Sequence, residues 1–465
     1  MRSRCLSTAQ MKLKTIDMNS VRQDVIKVYG AGLAGCEAAW QAANRGMRVE
    51  LYEMKPQKYT PAHHSEGFAE LVCSNSLRSD RVTNGVGLLK EEMLRLGSLI
   101  MEAAYATRVP AGSALAVDRD KFSAYITEKI KSHPMITVFE KEVDCVSDDT
   151  VSVIATGPLT SEPMAKYISD ELGCGSLHFF DAAAPIVDFS SVNMDVAYFA
   201  SRYGKGDPDY INCPMSKEEY DAFYEALVSA EEAELKEFDK AEQKKITVFE
   251  GCMPVEIMAK RGYDTLRFGP LKPVGLEDPK TGKEAFAVVQ LRKENVEGTM
   301  YNLVGFQTHL TYPEQRKVFR MIPGLENAEF LRYGTMHRNT YLNSPGLLGA
   351  DYSMLERDNV FFAGQMTGVE GYVESAGSGF VAGINAVRRA RGEEKLIFPE
   401  TTMIGAMAAY VSRGGLSGRF TPMNANFGII EPLGYKVKGG KVAKYEVVAA
   451  RALETIENIK SEVLK

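Results

Sequence analysis

The sequence predicts an α/β fold in which one nucleotide-binding domain is split by an inserted α+β domain. Three observations predict it. A strand-like run at Val25–Tyr29 leads into Gly30, Gly32 and Gly35 and an alanine-rich helical stretch, Leu33–Asn44, before a second strand at Val49–Tyr52. A further run, Val151–Ile154, ends in Ala155, Thr156 and Gly157, as a parallel strand does at a tight turn. Much later, Val360–Ala363 enters Gly364 and a glycine-studded segment reaching Gly383. Nucleotide-type loops at both ends and none in the middle read as a single domain interrupted by an insertion.

The expected order is a leader at 1–23, the first part of the nucleotide domain at 24–180, the insertion or substrate domain at 181–343, and the second part at 344–465. The leader carries Arg2, Arg4, Lys12, Lys14 and Arg22 against Asp17. No apolar stretch of signal-peptide length follows it, so it reads as a disordered leader and not as a secretion signal. Within the insertion, Lys217–Lys245 holds ten acidic and five basic residues and reads as an exposed helical pair.

Composition narrows the function classes. With 45% hydrophobic and 25% charged residues the chain is ordinary for a globular protein. Its longest apolar runs fall far short of the roughly 18 residues a membrane span needs, so no membrane segment is expected. The cysteines Cys5, Cys36, Cys73, Cys145, Cys174, Cys213 and Cys252 form no C-x-x-C pair and are odd in number. That pattern suits a reducing cytoplasm better than a disulfide framework, and neither it nor the six histidines suggests a metal site. A net charge of −6 argues against nonspecific coating of nucleic acid. Between Arg413 and Arg451, however, seven basic residues, Lys436 and Lys438 among them, face two acidic ones.

The glycine loop is the strongest local signal. Gly30, Gly32 and Gly35 form G-x-G-x-x-G after a strand and at a helix start, and Glu53 closes the next strand, the pattern of a Rossmann-like dinucleotide fold. In that pattern Gly30 permits the turn, Gly32 admits the pyrophosphate and Gly35 lets the helix pack closely; Ala31, Leu33 and Ala34 share the loop. Glu53 is placed to accept bonds from a ribose hydroxyl. Gly364, Gln365, Tyr372 and Ser375 offer a distal wall alongside Gly157. A wall that far along suits a long cofactor such as FAD, and no second fingerprint marks a dedicated nicotinamide site.

Residues 59–87, YTPAHHSEGFAELVCSNSLRSDRVTNGVG, are followed by LLKEEMLRLGSLIMEAA and VPAGSALAVDR. FEGCMPVEIMAKRG, RFGPLKPVGLE, YGTMHRNTYLNSP, GQMTGVEGYVESA and FTPMNANFG come later. In these strings the chain closely resembles the folate- and FAD-dependent tRNA uracil-5-methyltransferase family, over essentially everything after the leader. The resemblance implies that methylenetetrahydrofolate supplies a carbon, reduced FAD a hydride, and NADPH or NADH the electrons. It implies that a uridine in the T loop of tRNA becomes 5-methyluridine.

Carbon 5 of uracil is a poor nucleophile until a thiolate adds at carbon 6, so a working cysteine is required. Its thiol needs positive charge or a helix N-terminus nearby. By resemblance, Cys252 is the nucleophile, and Cys73 is its partner, either as the base for the carbon 5 proton or as a group beside the flavin. The division between the two stays open in the sequence. Tyr372 is placed to stack on the ring or on a base. His63, His64 and Arg78 are expected at the folate, flavin or RNA, and Lys436 and Lys438 on tRNA phosphates. Reaching both faces of the uracil requires the base to flip out. The same chemistry on a ribosomal RNA uridine is an alternative, as is a wobble-uridine-modifying flavoprotein relative, although the long C-terminal helical extension of the latter is missing here.

Overall fold

The computed structural model describes residues 22–60, 62–170, 172–173, 176–182, 184–204, 206–233, 253–295, 297–334, 336–414 and 420–464. The chain begins β1 (Arg22–Tyr29), α1 (Leu33–Asn44), β2 (Arg48–Glu53), β3 (Ser76–Ser79), α2 (Gly85–Arg95), α3 (Leu99–Ala106), β4 (Arg108–Val109) and β5 (Ala114–Val117). It continues with α4 (Arg119–Ser132), β6 (Ile136–Glu140), β7 (Thr150–Ile154) and α5 (Glu162–Asp170). β1 starts inside the expected leader because Arg22 already pairs with Thr150 of β7.

Next come β8 (Ser176–Ala182), β9 (Ile186–Asp188), β10 (Tyr198–Ala200), β11 (Tyr210–Met215), α6 (Lys217–Ser229), α7 (Val255–Lys260) and α8 (Thr265–Phe268). They are followed by β12 (Glu277–Asp278), β13 (Lys283–Glu284), β14 (Ala287–Lys293), β15 (Met300–Leu303), α9 (Tyr312–Phe319), β16 (Phe330–Arg332) and β17 (Met336–Leu342). The chain closes with β18 (Val360–Phe362), α10 (Tyr372–Arg391), α11 (Met403–Arg413) and α12 (Gly440–Val463).

The first sheet runs β18-β7-β1-β2-β6 and all its pairings are parallel. β7 is buried along its whole length, as a strand covered on both faces must be. A strand from beyond residue 344 therefore completes a sheet begun before residue 155. Helices α1 and α10 lie against each other on this sheet, and glycines permit the contact: a Cβ at Gly379 would stand 2.2 Å from the Ala34 carbonyl oxygen.

The second sheet, β10-β11-β14-β15-β9-β16, is antiparallel throughout. It has its own apolar core, drawn from Ala184 to Ala328, whereas the first core joins residues from Ile26 to Leu172 with others from Leu342 to Val463. The chain passes out and back along one antiparallel ribbon, β8 with β17. Helix α6 opens on a capping box between Ser216 and Glu219 and buries Tyr220, Phe223 and Leu227. One face of the expected exposed pair is thus core; its second half lies outside the described residues. No helix among the described residues is long and apolar enough to cross a membrane, and no group of three metal-binding side chains occurs among them.

Candidate active site

β1 hands the chain to α1 through a turn that only glycine can make. Gly30 sits at φ 99°, and a Cβ there would meet the Ala155 carbonyl oxygen at 2.5 Å. At Gly35 a Cβ would stand 1.8 Å from the Gly30 carbonyl oxygen, so helix and turn pack backbone to backbone. Gly32 instead faces open space. The first turn of α1 has no side-chain cap and no acidic residue, which leaves its amide groups and the positive helix end for an anion. The buried Glu53 carboxylate accepts from the Ala31 amide at 2.8 Å and the Lys55 amide at 3.0 Å. Each oxygen keeps room for a further donor.

These groups open on a cavity of about 440 Å³. Its lining runs from the ends of β2 and β6 (Tyr52, Glu53, Val143) across residues 30–34 and Gly157 to Gly364, Gln365 and the start of α10 with Tyr372 and Ser375. Cys73, Arg78, Arg292, Gln307 and Asn424 line it as well. An uncapped helix end, a buried carboxylate and a second glycine-rich helix start on one cavity fit a dinucleotide with an extended ring, as FAD is.

The wall around Cys73 is built from two segments about 300 residues apart in sequence, laced together. The Tyr372 hydroxyl accepts from the amides of Cys73, at 2.7 Å, and Ser74, at 3.2 Å. Burial drives its phenol well above the ordinary range, so it stays neutral. Arg78, itself at φ 63°, ion-pairs with the fully buried Glu374 of α10, whose Oε1 also accepts from the Ala425 amide at 2.8 Å. His63 joins the lining beside Thr60, its Nδ1 2.5 Å from Thr60 Oγ1, and burial lowers its pKa. His64 is exposed and outside the lining.

Of the sequence-based candidates, Gly35 supports the turn from behind, while Lys436 and Lys438 lie exposed before α12, away from the cavity. Cys252 lies outside the described residues. Sequence reasoning missed Glu374, Gln307 and Asn424, and it missed Arg119, Arg292 and Arg332, which all reach the Cys73 loop. The local signals were that Arg119 ends one of the recognised strings and that Glu374 and Asn424 lie inside GQMTGVEGYVESA and FTPMNANFG.

The Glucose inhibited division protein A family model matches residues 25–394. A methylenetetrahydrofolate–tRNA-(uracil-5-)-methyltransferase TrmFO from Acetivibrio thermocellus is 60% identical over 439 residues, 94% of this chain and 99% of the relative. A protein of the same name from Halalkalibacterium halodurans is 58% identical over 433 residues, 93% and 98% of the two chains. Among solved structures, Aquifex aeolicus GidA in its form I crystal aligns with a TM-score of 0.67 at 16% identity, covering 94% of this chain and 76% of that one. At that identity the likeness speaks for the fold.

Proposed function

Because the chain belongs to the methylenetetrahydrofolate–tRNA-(uracil-5-)-methyltransferase TrmFO family, we propose that the Cys73 cavity is where it brings FAD, a folate and a flipped-out uridine together. The chain catalyses folate-dependent methylation of carbon 5 of a tRNA uridine with FAD as cofactor. The finer reading is that the uridine lies in the T loop, that NADPH or NADH supplies electrons, and that the setting is the cytoplasm.

The observation that carries the site assignment is the position of Cys73, in the wall of the cavity that Glu53 also lines and fixed through its amide to Tyr372. The α1 N-terminus and Glu53 hold the pyrophosphate and ribose, and Gly364, Gln365 and Ser375 support the distal part. Bound FAD supplies the hydride that turns the transferred one-carbon group into a methyl. Cys252 adds to carbon 6 as a thiolate, which makes carbon 5 nucleophilic; the same sulfur leaves at the end. Cys73 takes the carbon 5 proton. Neutral Tyr372 fixes the Cys73 loop. Lys436 and Lys438 contact tRNA phosphates.

Cys73→Ala and Cys252→Ala test the assignment. Each variant is expected to keep the yellow flavin and to form no 5-methyluridine in tRNA. Normal turnover in either would remove that cysteine from the reaction.

A further inference from the structure

Around Cys73, four neighbouring residues are each bound by a guanidinium. Arg119 of α4 donates from Nη1 to the Leu71 carbonyl oxygen at 2.6 Å, and Arg332 of β16 donates to the Val72 carbonyl oxygen. Arg292 of β14 donates from Nη2 to Ser74 Oγ at 2.7 Å and from Nε to Asn75 Oδ1 at 3.1 Å. Two residues before Cys73 and two after it are therefore pinned, and Arg292 shares the cavity wall with it.

Neutral donors would hold these carbonyl and hydroxyl groups equally well. Guanidinium groups bring charge into a partly buried place, where it is costly unless used. Burial and the neighbouring Arg119 pull the Arg332 guanidinium below its usual range, a sign of that cost. The direct carboxylate partner in the group is Glu294, 2.6 Å from Arg119. Elsewhere around the cavity Arg78 is matched by Glu374, Lys55 by Glu70 at 3.8 Å, and Tyr372 is neutral. Among the described residues, three guanidinium groups thus reach the loop with Glu294 as their paired carboxylate, and Arg119 and Arg332 lie within electrostatic reach of Cys73; Glu53, Glu142 and Glu370 line other parts of the cavity wall.

We propose that Arg119, Arg292 and Arg332 are positioning residues that keep Cys73 as a thiolate aimed into the cavity, so that the insertion domain, which supplies two of the three, activates it. This deepens the role given to Cys73 above and rests on it. In that role the sulfur gains the carbon 5 proton while the C–H electron pair stays with the uracil as its enolate, and only a thiolate can accept that proton. Positive neighbours keep the acceptor ionised near neutral pH, where an exposed thiol is mostly protonated.

The test follows iodoacetamide alkylation of Cys73 in the FAD-loaded full chain against pH, with the Cys73 peptide quantified by mass spectrometry. Arg332→Gln and Arg292→Gln are each expected to raise the pH midpoint by about one unit with the visible flavin band retained, while Arg332→Lys stays near the parent. Arg292→Gln carries the test should Arg332→Gln lose its flavin. Unmoved midpoints in the glutamine variants, or an Arg332→Lys shift as large as that of Arg332→Gln, would overturn the proposal. The readout needs no turnover, so it stands apart from Cys73→Ala, which tests whether Cys73 takes part in the reaction at all.

Discussion

Replacing Tyr372 by Phe removes one oxygen atom and leaves the ring in the cavity wall. That oxygen accepts from two amides, Cys73 at 2.7 Å and Ser74 at 3.2 Å. A buried amide left without an acceptor costs about 1–3 kcal/mol. The Ser74 bond is the longer, and the cavity gives water access to one amide, so about 2 kcal/mol is the reasonable total. Spread over the ordered and opened states of the Cys73 loop, this lowers the ordered population about 30-fold relative to the opened one. The glycine turn and Glu53 are untouched, so flavin content should not change. In single-turnover assays with the flavin reduced beforehand, Tyr372→Phe is expected to cut the methylation rate by roughly 10- to 30-fold with KM for tRNA little altered. A rate within about twofold of the parent, at full flavin occupancy, would refute the reasoning. Loss of the visible band would instead mean that the hydroxyl serves cofactor binding.

Gly35→Ala should give colourless protein, because its Cβ would lie 1.8 Å from the Gly30 carbonyl oxygen and force turn and helix apart; absorbance after reconstitution with FAD reads this directly. The buried Glu92 carboxylate caps α11 by accepting from the Met403 and Ile404 amides, and burial raises its pKa to about 7. Because the folded value exceeds the unfolded 4.5, its contribution to stability is full below pH 4.5 and is lost as pH rises through 7. Denaturation of parent and Glu92→Gln should therefore agree near the acid end, diverge between pH 4.5 and 7 and level off above that, the variant gaining up to about 3 kcal/mol relative to the parent; a pH-independent difference would contradict it. Reversing charge at Lys436 and Lys438 together should weaken tRNA binding and flatten its dependence on salt by about two phosphate contacts, measured by filter binding at several salt concentrations.

The glycine turn was legible because its determinants are local. Gly30, Gly32, Gly35 and Glu53 fall within one β-α-β unit, where spacing alone fixes which backbone groups face a ligand. The split of the nucleotide domain was legible for a related reason: β7 and β18 each run straight into glycine, and the sheet then pairs them. What surrounds Cys73 was not legible. Arg119 lies 48 residues from Leu71 and Arg332 lies 260 residues from Val72, and nothing in a lone arginine announces which carbonyl it will find. Tyr372 was expected at a ring, but its hydroxyl also serves as an acceptor for a loop 298 and 299 residues away. Arg78 was read as a substrate contact; it lines the cavity, and its ion pair with Glu374, which no local pattern announces, also makes it a tie between the loop and α10. The charge pattern of Lys217–Lys245 hid the buried face of α6, since a helix can be acidic on one side and still set Tyr220, Phe223 and Leu227 in a core.

The most direct measurement combines purified yellow protein, a reductant, unmodified tRNA and methylenetetrahydrofolate labelled in its methylene carbon, followed by nuclease digestion and mass spectrometry of the nucleosides. Label is expected in the methyl group of 5-methyluridine with the parent chain and absent with Cys73→Ala, both proteins keeping the flavin band. Labelled nucleoside formed at the parent rate by Cys73→Ala, or a parent that binds no flavin, would contradict the account.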